Sequence, residues 1–241
     1  MNRLDTTFAF VLIILVATIL QTSTGFGFSI MATPFLLLLF APREAIQINL
    51  FLSLFISCVM IVQVRKDVHT TLLKRLLVGS LIGLPIGILI FLNMDMRLLK
   101  IGVSVLILLL TVLLFINLRM KQLPWRDTLV GGISGTLTTS IGMPGPPLLL
   151  YFSGTNMSKE ALRATTLAFY LFIYAVSLAI QIGFAGTSKE VQSSLIIGVP
   201  ISIVGIYFGQ ILFKWINQET FRILTYLLLL LAGGYLLLQQ F

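Results

Sequence analysis

The segment 45–64, AIQINLFLSLFISCVMIVQV, runs for 20 residues without a charged side chain. As a helix it would measure ~30 Å, the thickness of a bilayer's hydrocarbon core. The pattern recurs along the chain. Apolar segments at 8–21, 27–40, 45–64, 72–92 and 98–118 are followed by a second series at 128–141, 146–152, 161–184, 191–215 and 221–238. With 58% hydrophobic and only 10% charged residues, the 241-residue chain leaves little room for anything but membrane helices. The expected fold class is an all-α integral membrane protein, a polytopic helical bundle with the lipid bilayer as its solvent. The last three segments of each series are long enough to cross, whereas the first two, of 14, 14, 14 and 7 residues, are not.

The remaining composition excludes several function classes. Cys58 is the single cysteine and lies in an apolar stretch, so neither an intrachain disulfide nor a thiolate metal cluster can form. No metal and no cofactor are expected. The net charge of +8 is carried by residues between the apolar runs rather than on one face or tail, which points to membrane orientation and not to nucleic acid. An enzyme would need a nucleophile, a metal set or an acid–base pair at membrane depth, and the apolar segments supply no His or carboxylate pair.

The two series are alike. Arg43-Glu44-Ala45 recurs as Lys159-Glu160-Ala161, the spacing of GLPIG at 83–87 recurs as GIYFG at 205–209, and Leu99-Lys100 recurs as Phe221-Arg222. These offsets of about 116 and 122 residues predict a duplicated five-segment unit, residues 1–122 and 123–241. An odd number of segments sends the second copy into the membrane from the opposite side, so the repeats are inverted. One set of alternating loops holds 11 Lys and Arg residues and the other 5, while the acidic residues divide four and four. The richer set should face the cytoplasm, which places the chain in the inner membrane with both termini periplasmic. Arg3 and the apolar stretch behind it could suggest a signal peptide, but no convincing cleavage site follows and the equivalent segment of the second copy is internal.

The short segments predict a re-entrant, broken-helix hairpin in each copy, ahead of three transmembrane helices. In the first, Gln21, Thr22, Ser23 and Thr24 lead into GFGFSIMATP, where Gly25 and Gly27 permit the positive φ of a sharp reversal. In the second, Thr138, Thr139 and Ser140 lead into GMPGPP, where Gly142 and Gly145 stand among Pro144, Pro146 and Pro147, which forbid a continuous helix. Backbone broken at membrane depth is tolerated only inside protein or beside a polar cavity, and paired interruptions in two repeats mark a transport site. The second arm of each hairpin would begin at the midplane, so Gly27, Phe28 and Ser29, and likewise Leu148 and Leu149, would turn helix N-terminal N–H groups to the centre. No carboxylate lies within the apolar segments, which favours an anion over a cation. The alternative for any one Gly, Ser or Thr is close packing between helices.

The third segments add four candidates related by the 116-residue offset: Gln47 with Arg163, and Asn49 with Thr165. They are expected to line the same cavity. Arg163 reads either as the cation that receives the anion or as an arginine snorkelling to the headgroups. His69 reads as a solvated loop histidine, and Trp125, Trp215 and Tyr235 as interface anchors.

GFGFSIMATPFLLLL followed by APREA, and TSIGMPGPPLLLYF followed by KEALRATTLAFY, resemble the two signature regions of the TauE/SafE sulfite-exporter family, and the resemblance spans essentially the whole chain. It implies a membrane transporter of sulfite or of organosulfonates such as sulfoacetate, often acting outward. A small anionic substrate is therefore the expected partner, and the chain is compatible with a homodimer. A channel or an uptake permease for another small organic anion is the alternative reading.

Overall fold

The structure, a computed structural model, describes residues 3–93, 122–152 and 157–215, together with Thr155 and isolated positions between 95 and 112. Among the described residues there is helix and loop but no strand. In chain order the helices are α1 (Arg3–Thr24), α2 (Phe28–Leu39), α3 (Pro42–Val64), α4 (Thr70–Asn93), α5 (Pro124–Ile141), α6 (Gly145–Phe152), α7 (Lys159–Ala185) and α8 (Lys189–Trp215), with a single 3₁₀ turn at Arg65–Asp67. Five stretches, Asp5–Thr24, Pro42–Asp67, Thr70–Asn93, Lys159–Ala185 and Lys189–Trp215, are long and apolar enough to cross a membrane. The segment expected at 221–238, and all but isolated positions of 98–118, lie outside the described residues.

Helix limits follow from local chemistry. Pro42 and Pro124 open α3 and α5, where a missing N–H costs nothing. Ser158 caps α7 by accepting the Ala161 N–H at 3.3 Å. His69, exposed as expected, accepts the Leu72 N–H on Nδ1 at 3.2 Å just ahead of α4.

One expectation is corrected. The apolar run at 8–21 is by itself too short to cross, yet α1 has 22 residues and measures ~33 Å. The polar run Gln21–Thr24 continues the helix instead of ending it, because the hydroxyls of Ser23 and Thr24 turn back onto the Leu20 carbonyl at 3.1 and 2.7 Å. The same device extends α5, where Ser140 donates to the Thr136 carbonyl at 2.7 Å.

Tertiary packing crosses between the two halves of the chain. α1 lies along α8 and α4 along α5, the most extensive contacts among the described helices, while α3 lies along α7. Contacts of α1 with α8 advance together, from Phe10 at Gly198 through Thr18 at Gly205 to Thr22 at Gly209, so these helices run parallel. α4 and α5 do likewise, from Gly79 at Thr128 to Gly87 at Thr139. α3 and α7 run antiparallel. Gln47, near the start of α3, donates to the Gly186 carbonyl beyond the end of α7, and the His69 N–H, beyond the end of α3, donates to Thr165 near the start of α7.

Glycines set these distances. A Cβ on Gly79 would lie 1.8 Å from the Thr128 carbonyl oxygen, one on Gly131 2.1 Å from that of Leu76, and one on Gly209 2.6 Å from the Thr22 Cβ. Helices without a hydrophobic drive toward one another gain their contact from such close backbone approach. The outward faces carry exposed Leu81, Ile82, Ile196 and Ile203, side chains suited to lipid.

Gly79→Ala is expected to destabilise the protein by more than ~3 kcal/mol, because backbone must move to admit the methyl group. Gly183→Ala, where the Cβ meets open space, should be neutral or stabilise by up to ~1 kcal/mol. Thermal unfolding in detergent checks both, and equal midpoints would contradict the packing described.

Candidate functional site

The chain reverses at both interruptions, and each helical hairpin is closed at its base. Gly25 (φ 86°) and Gly27 (φ 134°) reverse the chain between α1 and α2. The rings of Phe10 and Phe40 then meet edge-on at 5.6 Å, bringing the start of α1 and the end of α2 to one level. In the second hairpin the Leu123 N–H donates to the Tyr151 hydroxyl at 3.2 Å, and that hydroxyl donates to Asp127. Asp127 is one of the acidic residues that divide four and four between the two sets of loops. It is fully buried in the first turn of α5 and paired with Arg75 at 3.0 Å.

The turning residue of the second hairpin is Gly142 (φ 73°), not Gly145. α5 ends there with the Gly142 N–H on the Thr138 carbonyl at 2.9 Å and the Met143 N–H on that of Leu137 at 3.1 Å. Pro144 completes the link, and Gly145 opens α6 with Pro146 behind it. Leu148 and Leu149 therefore lie deeper in α6 than its first turn suggested. What Gly145 provides is room: a Cβ there would stand 2.8 Å from Ile30 and 3.0 Å from the Tyr170 hydroxyl.

That contact brings the two half-helices together. Ile30 is in the first turn of α2 and Gly145 is the first residue of α6, so the two N-termini meet. The middle of α7 closes the place. The Tyr174 hydroxyl donates to Ser29 Oγ at 3.4 Å, and the Tyr170 ring packs tilted against that of Tyr174, with centroids 5.0 Å apart. Phe28, Ser29, Tyr170 and Tyr174 are all fully buried. Neither tyrosine was foreseen as part of the site. Two tyrosines four residues apart within the apolar run 167–176 were the available signal, since each must place its hydroxyl on the same face.

The third helices of the two halves cover the hairpin turns crosswise. Gly25 packs against the Arg163 backbone, where a Cβ would come within 2.8 Å of Cα. Asn49 Nδ2 donates to the Gly142 carbonyl at 2.7 Å. The expectation that Gln47, Asn49, Arg163 and Thr165 line one cavity is corrected. Because α3 and α7 are antiparallel, residues related by the repeat lie at opposite ends, and the 21 residues from Thr165 to Gly186 correspond to ~30 Å of helix. Gln47 and Thr165 are engaged in holding the ends of α3 and α7 together.

The remaining candidates are buried and mostly engaged between helices. Gln21 donates to the Ser53 carbonyl and to Ser57, both at 3.3 Å. Thr139 bonds Ser177 at 2.9 Å and its carbonyl accepts from Gln181 at 2.7 Å. Thr22 is buried against Gly209 with its hydroxyl unpartnered. Arg163 is only 6% exposed, with its guanidinium 4.1 Å above the Phe213 ring and no hydrogen bond at Nε or Nη2. Among the described residues no group of three His, Cys, Asp or Glu side chains is placed to hold a metal.

Over residues 10–236, which include both hairpins, the sequence matches the family described as Sulfite exporter TauE/SafE. The chain belongs to the TauE/SafE family. No curated protein and no solved structure matches it. As a TauE/SafE protein it is a membrane protein of a transporter family.

Asn49→Ala in this TauE/SafE chain leaves the Gly142 carbonyl without its donor and should lower stability by ~1–3 kcal/mol. Thermal unfolding in detergent reads the loss, and an unchanged midpoint would show that the bond does not secure the turn.

Proposed function

We propose that this protein is a secondary transporter that exports a small sulfur-containing anion, sulfite or an organosulfonate such as sulfoacetate, by alternating access around a site at the centre of the bilayer. The meeting of two half-helix N-termini carries this reading. Each helix start behaves as about half a positive charge and offers unpaired N–H groups. Among the described residues no carboxylate lies at that meeting point, since Asp127 and Glu44 are engaged elsewhere, with Arg75 and with Ser188.

The inverted-repeat reading, with halves 1–122 and 123–241, is supported by the symmetry of the packing. Exchanging the halves turns the α1–α8 pair into the α5–α4 pair and the α3–α7 pair into itself, with α3 and α7 running in opposite directions. The re-entrant reading is supported by length. α2 and α6, at 12 and 8 residues, extend ~18 and ~12 Å, short of the ~30 Å hydrocarbon core. The tight α1–α8 and α4–α5 pairs are the natural rigid bodies for alternating access. Lys and Arg in the loops favour the inner membrane with both termini periplasmic.

Reporter tags at both termini should therefore read as periplasmic, and tags in the loops at 65–75 and 119–126 as cytoplasmic. Cytoplasmic termini would overturn the inverted arrangement.

Arg163, buried with Nε and Nη2 free of hydrogen bonds, is the cation that receives the anion at the cytoplasmic start of α7. Arg163→Gln should weaken sulfite affinity by ~1.5–3 kcal/mol while expression is kept. Counterflow in proteoliposomes with sulfite, sulfoacetate, isethionate, sulfolactate, sulfate and carboxylates tests the whole reading. Exchange of labelled for unlabelled sulfur anion is the expected result, and conductance without exchange would make the protein a channel.

A further inference from the structure

Resting on the anion-site reading above, we infer that the site is chemically one-sided and that the Tyr170 hydroxyl is the substrate-binding donor that completes it. The two half-helix starts are unequal. At α2 the Met31 N–H closes the first turn on the Gly27 carbonyl at 2.9 Å, and no side chain caps the helix. Phe28, Ser29 and Ile30 thus present three N–H groups with no intrahelical acceptor. At α6 the same three positions are Gly145, Pro146 and Pro147, and proline has no N–H. α6 keeps its dipole but has one donor where α2 has three.

Tyr170 stands at the poorer end. Its hydroxyl is fully buried, has no hydrogen-bond partner, and lies 3.0 Å from where a Cβ on Gly145 would be. A buried hydroxyl without a partner is unfavourable, and phenylalanine would fill the same space without that cost. Tyr174 differs, because its hydroxyl is committed to Ser29. The Tyr170 hydroxyl is thus the free donor facing α6, with its ring held in place by Tyr174 at 5.0 Å.

An anion bound here meets backbone N–H groups on the α2 side and a phenol on the α6 side. Such a pair favours an oxyanion, which reaches the two sides with separate oxygens, over a halide, whose single atom must lie within hydrogen-bond distance of both.

The test uses the full-length protein in detergent, followed by thermal unfolding with sulfite or chloride, and counterflow of sulfite in proteoliposomes. Tyr170→Phe should keep or raise the midpoint without ligand, raise the sulfite concentration for half-maximal stabilisation at least tenfold, and raise half-saturation in counterflow in parallel. Its response to chloride should stay as in wild type, so that the preference for sulfite over chloride falls. Tyr174→Phe should lower the ligand-free midpoint, and Tyr207→Phe, on an exposed face of α8, should change nothing. A wild-type sulfite response in Tyr170→Phe, or a lowered ligand-free midpoint, overturns the role of Tyr170 and leaves the transporter reading standing. A wild-type protein that neither responds to nor exchanges any oxyanion overturns both.

Discussion

Hydrocarbon offers no partner to a peptide N–H or C=O, so a helix can be interrupted at membrane depth only where protein covers the exposed backbone. The chain is interrupted twice, at Gly25–Gly27 and at Gly142–Pro144, and each half supplies the cover for the other. Arg163 lies over the first turn and Asn49 holds the second by its carbonyl. On the proposed reading, this crossed packing is the condition on which the central site depends.

Close approach is what allows that crossing. Gly79, Gly83 and Gly87 on α4 meet the backbone of α5, and Gly205 and Gly209 on α8 meet Thr18 and Thr22 on α1. Thr136 adds a hydrogen bond to the Gly83 carbonyl at 3.1 Å. These contacts bind the first helix of one half to the fourth of the other. From sequence, Gly83, Gly87, Gly205 and Gly209 showed only a shared spacing. Their partners come from the far half of the chain, and residue spacing along one helix carries no information about which surface will meet it.

The polar residues show the same division. Gln21, Thr138, Thr139 and Ser140 were legible as an anomaly because polar side chains in an apolar run demand partners. That most of them bond helix carbonyls or neighbouring helices is a matter of tertiary placement. Gln47 and Thr165 looked like cavity residues because the repeat aligns them with Arg163 and Asn49. An antiparallel pair of equivalent helices separates what a repeat aligns, and that places them at the two ends of α3 and α7.

Sequence alone determined that the chain is helical and membrane-embedded, where its two interruptions fall, and which family it resembles. Those features are written in local chemistry: uninterrupted apolar runs, glycines that accept positive φ, and prolines that lack an N–H. Tertiary structure decided that α1 runs through its polar end, that Gly142 and not Gly145 makes the second turn, and that Tyr170 and Tyr174 stand at the meeting of α2 and α6. Each of these depends on which distant backbone or side chain lies close enough to satisfy a donor or exclude a Cβ, a property of the packed fold that no local pattern contains.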